Sequence, residues 1–202
     1  MRKGQVSLEF MFVFAIFLVL LVYSVNNVTF TQNSASVDTL RVQVSIEAKH
    51  MANAISNTIS QVYAQGPGSK ATTYLHLRYL NDQSTLQKAY GTNSSMVVFL
   101  SYLNGTYVDI INPSNPTLNL NETNTTRRNV FWSEALYKKD ITTNSTVFPD
   151  SITVNGTTLY GLSLSPGSLP SMITIVVEWN PSAPENWTFQ NATIRINIKP
   201  GG

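Results

Sequence analysis

Residues 3–23 read KGQVSLEFMFVFAIFLVLLVY, an apolar run that follows basic residues and holds one early carboxylate, Glu9. As an α-helix, segment 5–25 would be about 31 Å long at ~1.5 Å per residue. That length matches the hydrocarbon core of a bilayer. Because Arg2 and Lys3 precede the run, the positive-inside rule places the N-terminus in the cytoplasm and the rest outside. We therefore predict a membrane-spanning helix that carries an extracellular domain.

Other kinds of export segment compete with this interpretation. An ordinary secretory signal peptide needs a small-x-small cleavage site after its apolar run, and residues 22–26 fit that pattern poorly. A plain signal anchor would stay uncleaved. Neither alternative explains Glu9, because a carboxylate at the edge of a membrane segment is costly unless it is paired or lies near the interface.

Lys3-Gly4 followed by Gln5, Ser7, Glu9 and an apolar helix resembles the class III signal peptide of archaeal type IV pilins and related pilin-like proteins. The resemblance covers about the first 25 residues. It implies cleavage between Gly4 and Gln5 by a membrane prepilin peptidase, so the apolar helix is kept. It also implies that Gln5, Ser7 and Glu9 serve processing and filament assembly. Bacterial pilins usually carry phenylalanine where Gln5 stands, and the glycine-rich start typical of archaeal flagellins is absent.

Composition narrows the function classes. The 202 residues suit one folded domain plus an extension. The chain has no cysteine, which excludes disulfides and thiolate metal sites. Its formal net charge of +2 falls to zero if Arg2 and Lys3 are removed with the leader. Since nucleic-acid binding needs a basic face, we predict no nucleic-acid partner.

Helical periodicity continues over residues 26–65. Apolar residues recur three and four positions apart, which predicts one buried face of an amphipathic helix. They are Val37, Leu40, Val44, Ala48, Met51, Ile55, Ile59 and Val62. Segment 26–36 is rich in poor helix formers, so we predict a kink or loosened turn there. The helix would end before Gly66-Pro67. Two alternatives are a coiled-coil stalk and a pilin helix whose outer half packs on its own head.

From residue 70 the apolar period changes to two, which predicts a β-rich head. Asn104-Gly105 and Asn155-Gly156 each stand between two such runs and predict hairpins. Further strands are predicted over 73–80, 172–179 and 187–198, and 130–138 fits either a strand or a short helix. The predicted fold is α+β: a long N-terminal α-helix, membrane-spanning in its first half, followed by an antiparallel β-rich, sandwich-like globular head.

This prediction divides the chain into four parts. They are a cleaved leader (1–4), a transmembrane and assembly helix (5–25), its amphipathic continuation (26–65) and an extracellular head (70–202).

The sequence lacks several common motifs of catalysis and metal binding. The sequence contains no His-x-x-x-His pair, no Gly-x-Ser-x-Gly and no glycine-rich phosphate loop. We therefore predict no catalytic residues, no metal, no cofactor and no enzymatic activity. The tryptophans are interpreted as core or subunit contacts rather than a ligand shelf, and the basic pairs as solvated surface. These residues are Trp132, Trp179, Trp187, Arg127-Arg128 and Lys138-Lys139.

The acceptor pattern Asn-x-Ser/Thr is frequent. It occurs nine times, against about four expected from composition. An Asn/Thr-rich surface could produce such matches by accident, but a sugar coat would supply the solubility that the low charge does not. The possible N-glycosylation sites are Asn27, Asn93, Asn104, Asn121, Asn124, Asn144, Asn155, Asn186 and Asn191.

Together with these patterns, the resemblance to archaeal type IV pilins implies a glycosylated structural subunit of a type IV pilus-like filament at the cell surface, used for adhesion. Its expected partners are other copies of itself in a helical homopolymer, the prepilin peptidase, and membrane lipid before assembly. The alternative is a membrane-anchored adhesin or receptor that binds a ligand without polymerising.

Overall fold

The computed structural model describes residues 3–29, 35–123 and 126–201. The helices are α1 (Lys3–Thr29), α2 (Ala35–Gln65) and α3 (Gln83–Tyr90), with a short 3₁₀ turn at Pro166–Ser168. The strands are β1 (Lys70–His76), β2 (Val97–Tyr102), β3 (Gly105–Ile111), β4 (Val130–Glu134), β5 (Asp150–Val154), β6 (Thr157–Leu164), β7 (Met172–Glu178), β8 (Asn186–Gln190) and β9 (Thr193–Asn197). The predicted α+β class, an N-terminal helix followed by a sheet-rich head, is confirmed.

The N-terminal helix is described as two segments. α1 ends at Thr29 and α2 begins at Ala35, and residues 30–34, within the predicted weak segment, lie outside the described residues. Between Phe10 and Val25 the large apolar side chains of α1 are all exposed. Among the described residues, no helix combines the length and the hydropathy needed to cross a membrane.

Two sheets form the head. The first has the order β1-β7-β9-β8, in which β7 and β9 run parallel and the other pairs antiparallel. The second has the order β4-β3-β2-β6-β5 and is antiparallel throughout. Both predicted Asn-Gly hairpins are present, since β2 pairs with β3 and β5 with β6. The undecided segment 130–138 opens with a strand, β4.

α2 fills the space between the two sheets. It contacts β1 and β7 of the first sheet and β3 and β4 of the second. Val37 and Leu40 of the predicted stripe are half-buried, and its other members are fully buried. The outer half of the predicted helix therefore packs on its own head, as the pilin interpretation expects and a free coiled-coil stalk does not. The sandwich-like layers are bridged by a helix rather than packed only sheet on sheet.

Three local predictions were wrong or incomplete. The predicted strand 187–198 is two strands, because Asn191 and Ala192 adopt positive φ values of 51° and 60° and turn the chain back. α3 was not predicted. It begins where the Asp82 carboxylate accepts hydrogen bonds from the Ser84 and Thr85 N–H groups, and Gly91 ends it at φ 64°.

The predicted strand 73–80 is shifted, since β1 covers Lys70–His76. The cause is Glu47 on α2, whose buried carboxylate accepts hydrogen bonds from the backbone N–H groups of Arg78 (2.9 Å), Tyr79 (2.9 Å) and Leu80 (3.3 Å). These N–H groups bond to a helix side chain rather than to a neighbouring strand, so the chain leaves the sheet at this point.

Replacing Glu47 with alanine should lower the free energy of unfolding by about 2–4 kcal/mol, because three backbone N–H groups lose their acceptor in a largely buried place. Chemical denaturation would measure the loss. Glu178→Ala is the matched control: its contact with Lys70 is 3.6 Å long and partly exposed, and such pairs contribute about 0–1 kcal/mol. Equal losses in the two variants would contradict the capping role.

Candidate functional site

The predicted processing residues lie in the first turns of α1. Gly4, Gln5, Ser7 and Glu9 are all within the helix, and the side chains of Gln5 and Ser7 lie outside the described part. Residues four apart on a helix share one face, so Gln5 and Glu9 are neighbours along α1. The Glu9 side chain is exposed. The N-terminal amine left by cleavage before Gln5 would therefore lie one helical turn from this carboxylate.

Between Phe10 and Tyr23, the apolar surface of α1 extends around the helix. The exposed fraction ranges from 44% at Leu18 to 70% at Phe10. A helix that faces one core carries a single apolar stripe, whereas a helix that is apolar all round is surrounded by apolar material on every side. Such a surface on an otherwise folded protein marks a site of interaction with other proteins or with lipid.

Residues 2–28 match the family model of the class III signal peptide. The chain carries a class III signal peptide. No curated protein and no solved structure matches the chain.

A class III signal peptide indicates a type IV pilin-like protein that is secreted, associated with the membrane and exposed at the surface. It also implies processing by a prepilin peptidase and entry into pilus assembly. The resemblance drawn from Gly4, Gln5, Ser7 and Glu9 is thereby confirmed at the level of the signal peptide, which ends where α1 ends, within one residue.

Most possible glycosylation sites lie on accessible surface. Asn144 is half-buried, and its Oδ1 accepts hydrogen bonds from the N–H and hydroxyl groups of Thr146 at 2.9 and 2.7 Å. Asn124 and the Asn27 side chain lie outside the described part of the chain. The exposed sites are Asn93, Asn104, Asn121, Asn155, Asn186 and Asn191.

The two hairpin asparagines differ in their surroundings. Asn155 and Gly156 have φ values of 50° and 81° and form a two-residue turn of type I′, open to solvent. Asn104 has φ 56°, but its backbone is held on both sides: its N–H donates to the Lys139 carbonyl, and its own carbonyl accepts from the Ala135 N–H. The Asn104 side chain remains exposed. The turn at Asn155 is thus more open to solvent than the turn at Asn104, whose backbone is hydrogen-bonded to residues 135 and 139.

The tryptophans fall into two groups. Trp187 is 1% exposed and packs against Phe148 and Tyr102 in the main core. Trp179 is half-buried and stacks on Tyr63. Core packing, as interpreted from the sequence, thus fits both residues. Trp132 differs: it is 43% exposed on the edge strand β4.

Sequence reasoning did not single out Asp109, the most unusual titratable group of the head. It lies in the middle of β3, only 3% exposed, opposite Phe99 on one side and Val130 on the other. Its Oδ1 has no hydrogen-bond partner within the described residues. Burial raises the pKa of Asp109 from its ordinary value of 3.8 to about 8, because the charged form is poorly solvated there.

Across the described ranges, no cluster of three or more histidine, aspartate and glutamate side chains is placed to hold a metal ion.

Proposed function

We propose that this protein is a structural, non-enzymatic subunit of an archaeal type IV pilus-like filament, with adhesion as its use. The observation that carries the proposal is the set of exposed large apolar side chains between Phe10 and Val25 of α1. Burying one large aliphatic or aromatic side chain stabilises a protein by about 1.5–3 kcal/mol, so a helix covered with them cannot remain in water. Lipid would cover α1 before assembly, and α1 helices of other copies would cover it in the filament.

Glu9 would act in the change from lipid to filament. Once helices pack on each other, its carboxylate becomes buried, and a buried charge is tolerated only when it is paired. Cleavage after Gly4 creates a positive partner, the α-amino group of Gln5. The amine of an adjacent subunit would pair with Glu9 and so set the axial register. An N-terminal glutamine can also cyclise to a neutral pyroglutamate, and Glu9 would then be protonated or hydrogen-bonded, with Ser7 as a donor.

Glu9→Ala should leave cleavage and membrane insertion intact and lower filament yield by at least tenfold, because the buried pairing is lost. Sheared surface material would be examined by electron microscopy and quantified by mass spectrometry of this chain. Glu9→Gln distinguishes an ion pair between Glu9 and the Gln5 amine from a neutral, cyclised N-terminus. If the ion pair dominates, this variant should form as few filaments as Glu9→Ala. If the native amine is cyclised, it should form filaments largely normally. Normal filaments from Glu9→Ala would refute the assembly role.

The second candidate function is an anchored adhesin that does not polymerise. The same exposed surface of α1 supports it, since lipid alone can cover an apolar helix. Extraction separates the two candidates. A filament subunit is recovered in sheared material of high mass, whereas an anchored monomer requires detergent.

We further propose that the head is glycosylated, with Asn155 at its open turn as the most accessible acceptor. Glycopeptide mass spectrometry of the chain from its native cells should find sugar on several exposed acceptor asparagines. Asn115 is the internal control: it is exposed and has threonine two residues later, but Pro116 between them blocks the modification. If no acceptor asparagine carries more sugar than Asn115, the proposal of a glycosylated head is wrong.

A further inference from the structure

A groove of about 940 Å³ lies between α2 and the segment that leads into β4. That volume is typical of pockets that bind small ligands. Four basic side chains line the groove: Arg41, Lys49, Arg127 and Arg128. They are four of the eleven basic residues that remain once Arg2 and Lys3 are removed. Two carboxylates, Asp38 and Glu122, also line the groove, so its lysine, arginine, aspartate and glutamate side chains leave a formal charge of +2.

Two of these cations have carboxylate partners. Arg41 is buried and pairs with Asp38 at 2.7 Å, and Glu122 lies 3.5 Å from Arg41 and 3.4 Å from Arg127. Two acids therefore balance two arginines. For Lys49 and Arg128, by contrast, no carboxylate lies within 4.0 Å among the described residues. The groove carries a net positive charge at these two side chains.

Lys49 and Arg128 are held in place by neutral groups. The Lys49 ammonium donates to the Trp132 carbonyl and lies 5.5 Å from the centre of the Trp132 ring. Arg128 Nε donates to the Val130 carbonyl at 3.2 Å, and its guanidinium lies 5.3 Å from the centre of the Phe131 ring. Val130 and Trp132 are alternate residues of an edge strand, so their carbonyls are about 7 Å apart. Both cations cover that open edge, and neither has a carboxylate partner among the described residues.

The remaining surface suits a sugar. On the α2 wall, Val42 and Ile46 are 57% and 52% exposed and offer an aliphatic face. Ser45 and Asn53 on the same wall offer groups that bond to hydroxyls. Next to the groove lies the exposed ring of Trp132, which does not line the groove itself but lies 5.5 Å from the Lys49 ammonium and stacks on Tyr107. Sugar rings pack their C–H faces on such surfaces, and arginine or lysine pairs with a sugar carboxylate.

We propose that this groove, with Lys49 and Arg128 in its wall and Trp132 beside Lys49, binds an acidic carbohydrate, a sugar chain that carries carboxylates. The inference names a ligand class for the adhesive use and in that respect rests on the proposed function. It gives Arg128 and Trp132 roles other than those interpreted from the sequence, which were solvated surface for Arg128 and a core or subunit contact for Trp132. Its test on unassembled protein is separate from the filament test with Glu9→Ala.

The experiment uses the processed full-length chain in micelles of an uncharged detergent. It is titrated with a hyaluronan tetrasaccharide, followed by calorimetry and tryptophan fluorescence, and with the neutral chitin tetrasaccharide for comparison. We expect saturable binding of the acidic sugar with a Kd of about 1 mM or below, and at least tenfold weaker binding of the neutral one. Lys49→Gln and Arg128→Gln should each weaken binding about five- to tenfold.

Lys70→Gln is the matched control, because Lys70 is an exposed lysine on β1 outside the groove. The affinity of this variant for the acidic tetrasaccharide should stay within about twofold of that of the unchanged protein. Lys49→Arg keeps the charge and should retain binding, which excludes a folding defect at that position. The proposal is overturned if the neutral sugar binds equally well, if Lys70→Gln weakens binding as much as Arg128→Gln, or if no saturation occurs up to about 10 mM.

The acidic sugar could belong to another organism's surface or to glycans of this protein itself. Chain produced without glycosylation distinguishes these sources. If the native ligand is the protein's own glycan, the glycosylated chain should bind the tetrasaccharide at least tenfold more weakly than the bare chain, because its site is already occupied. Equal affinities assign the site to foreign carbohydrate.

Discussion

Replacing Asp109 with asparagine should raise the free energy of unfolding at pH 7 by roughly 2–4 kcal/mol. The folded chain then no longer has to keep a buried carboxyl protonated, and the cost of burying the asparagine amide offsets part of this gain. Few substitutions stabilise a protein that much. The expectation follows from the position of Asp109 in β3, where the carboxyl is 3% exposed and its Oδ1 lacks a partner among the described residues. Asparagine has nearly the same shape and cannot ionise.

The direction of the pH dependence follows from the raised pKa of Asp109. The unfolded chain releases this proton near the ordinary pKa of 3.8, and the folded chain holds it until about pH 8. Between these values the folded state binds more protons than the unfolded state, so stability falls as pH rises. The slope is about 1.4 kcal/mol per pH unit. The contribution of Asp109 is fully present below pH 3.8 and is lost by about pH 8.

Thermal unfolding of the processed chain at several pH values from 5 to 8.5, followed by near-ultraviolet circular dichroism, checks this. Asp109→Asn should flatten the decline with pH. Asp82→Asn is the control of opposite sign: hydrogen bonds from Thr85 and Ser84 lower the pKa of Asp82, so its stabilisation is present above its unfolded pKa and lost in acid. That variant should leave the decline toward alkaline pH intact. An unchanged slope in Asp109→Asn would contradict a buried, neutral Asp109.

Gly4→Val should abolish processing, leaving the chain at its unprocessed mass with the basic residues Arg2 and Lys3 still attached. The physical reason is access. Glycine has no side chain, so a protease can approach the Gly4–Gln5 bond closely, whereas valine places a branched side chain beside that bond. Because the amine of Gln5 is then never formed, filament assembly should fail as well.

Intact-mass analysis and N-terminal peptide mapping measure this outcome. The native chain should begin at Gln5. Val6→Leu is the matched control, since it changes an apolar residue on the other side of the bond and should be processed normally. A native chain that begins beyond Val25 would reveal an ordinary secretory signal peptide, and a Gly4→Val chain that begins at Gln5 would show that glycine is not required.

Local patterns predicted the elements whose burial is regular. The buried members of the α2 stripe were found because each lies three or four residues from the last, which leaves one face toward the core. The hairpins at Asn104 and Asn155 were found because Asn-Gly accepts positive φ easily. The signal peptide was found because its residues are contiguous and their order carries the recognition.

Other features escaped prediction because their causes are distant in the chain. β1 ends early because Glu47 on the preceding helix accepts hydrogen bonds from residues 78–80, and no local sequence pattern near these residues predicts that contact. The turn between β8 and β9 uses Asn-Ala, a weaker signal than Asn-Gly. The parallel pairing of β7 with β9 depends on the order of strands in a completed sheet, which no single segment determines.

By itself, the sequence determined the class III signal peptide and the α+β class, since both depend on residue order and local period. Only the tertiary structure decided which polar groups became exceptional. Asp109 is unusual because Phe99 and Val130 flank it across two strands. Lys49 and Arg128, 79 positions apart in the numbering, become one positive rim because both reach carbonyls of β4. Burial and charge balance depend on what the fold brings into contact, and residue order alone does not specify those contacts.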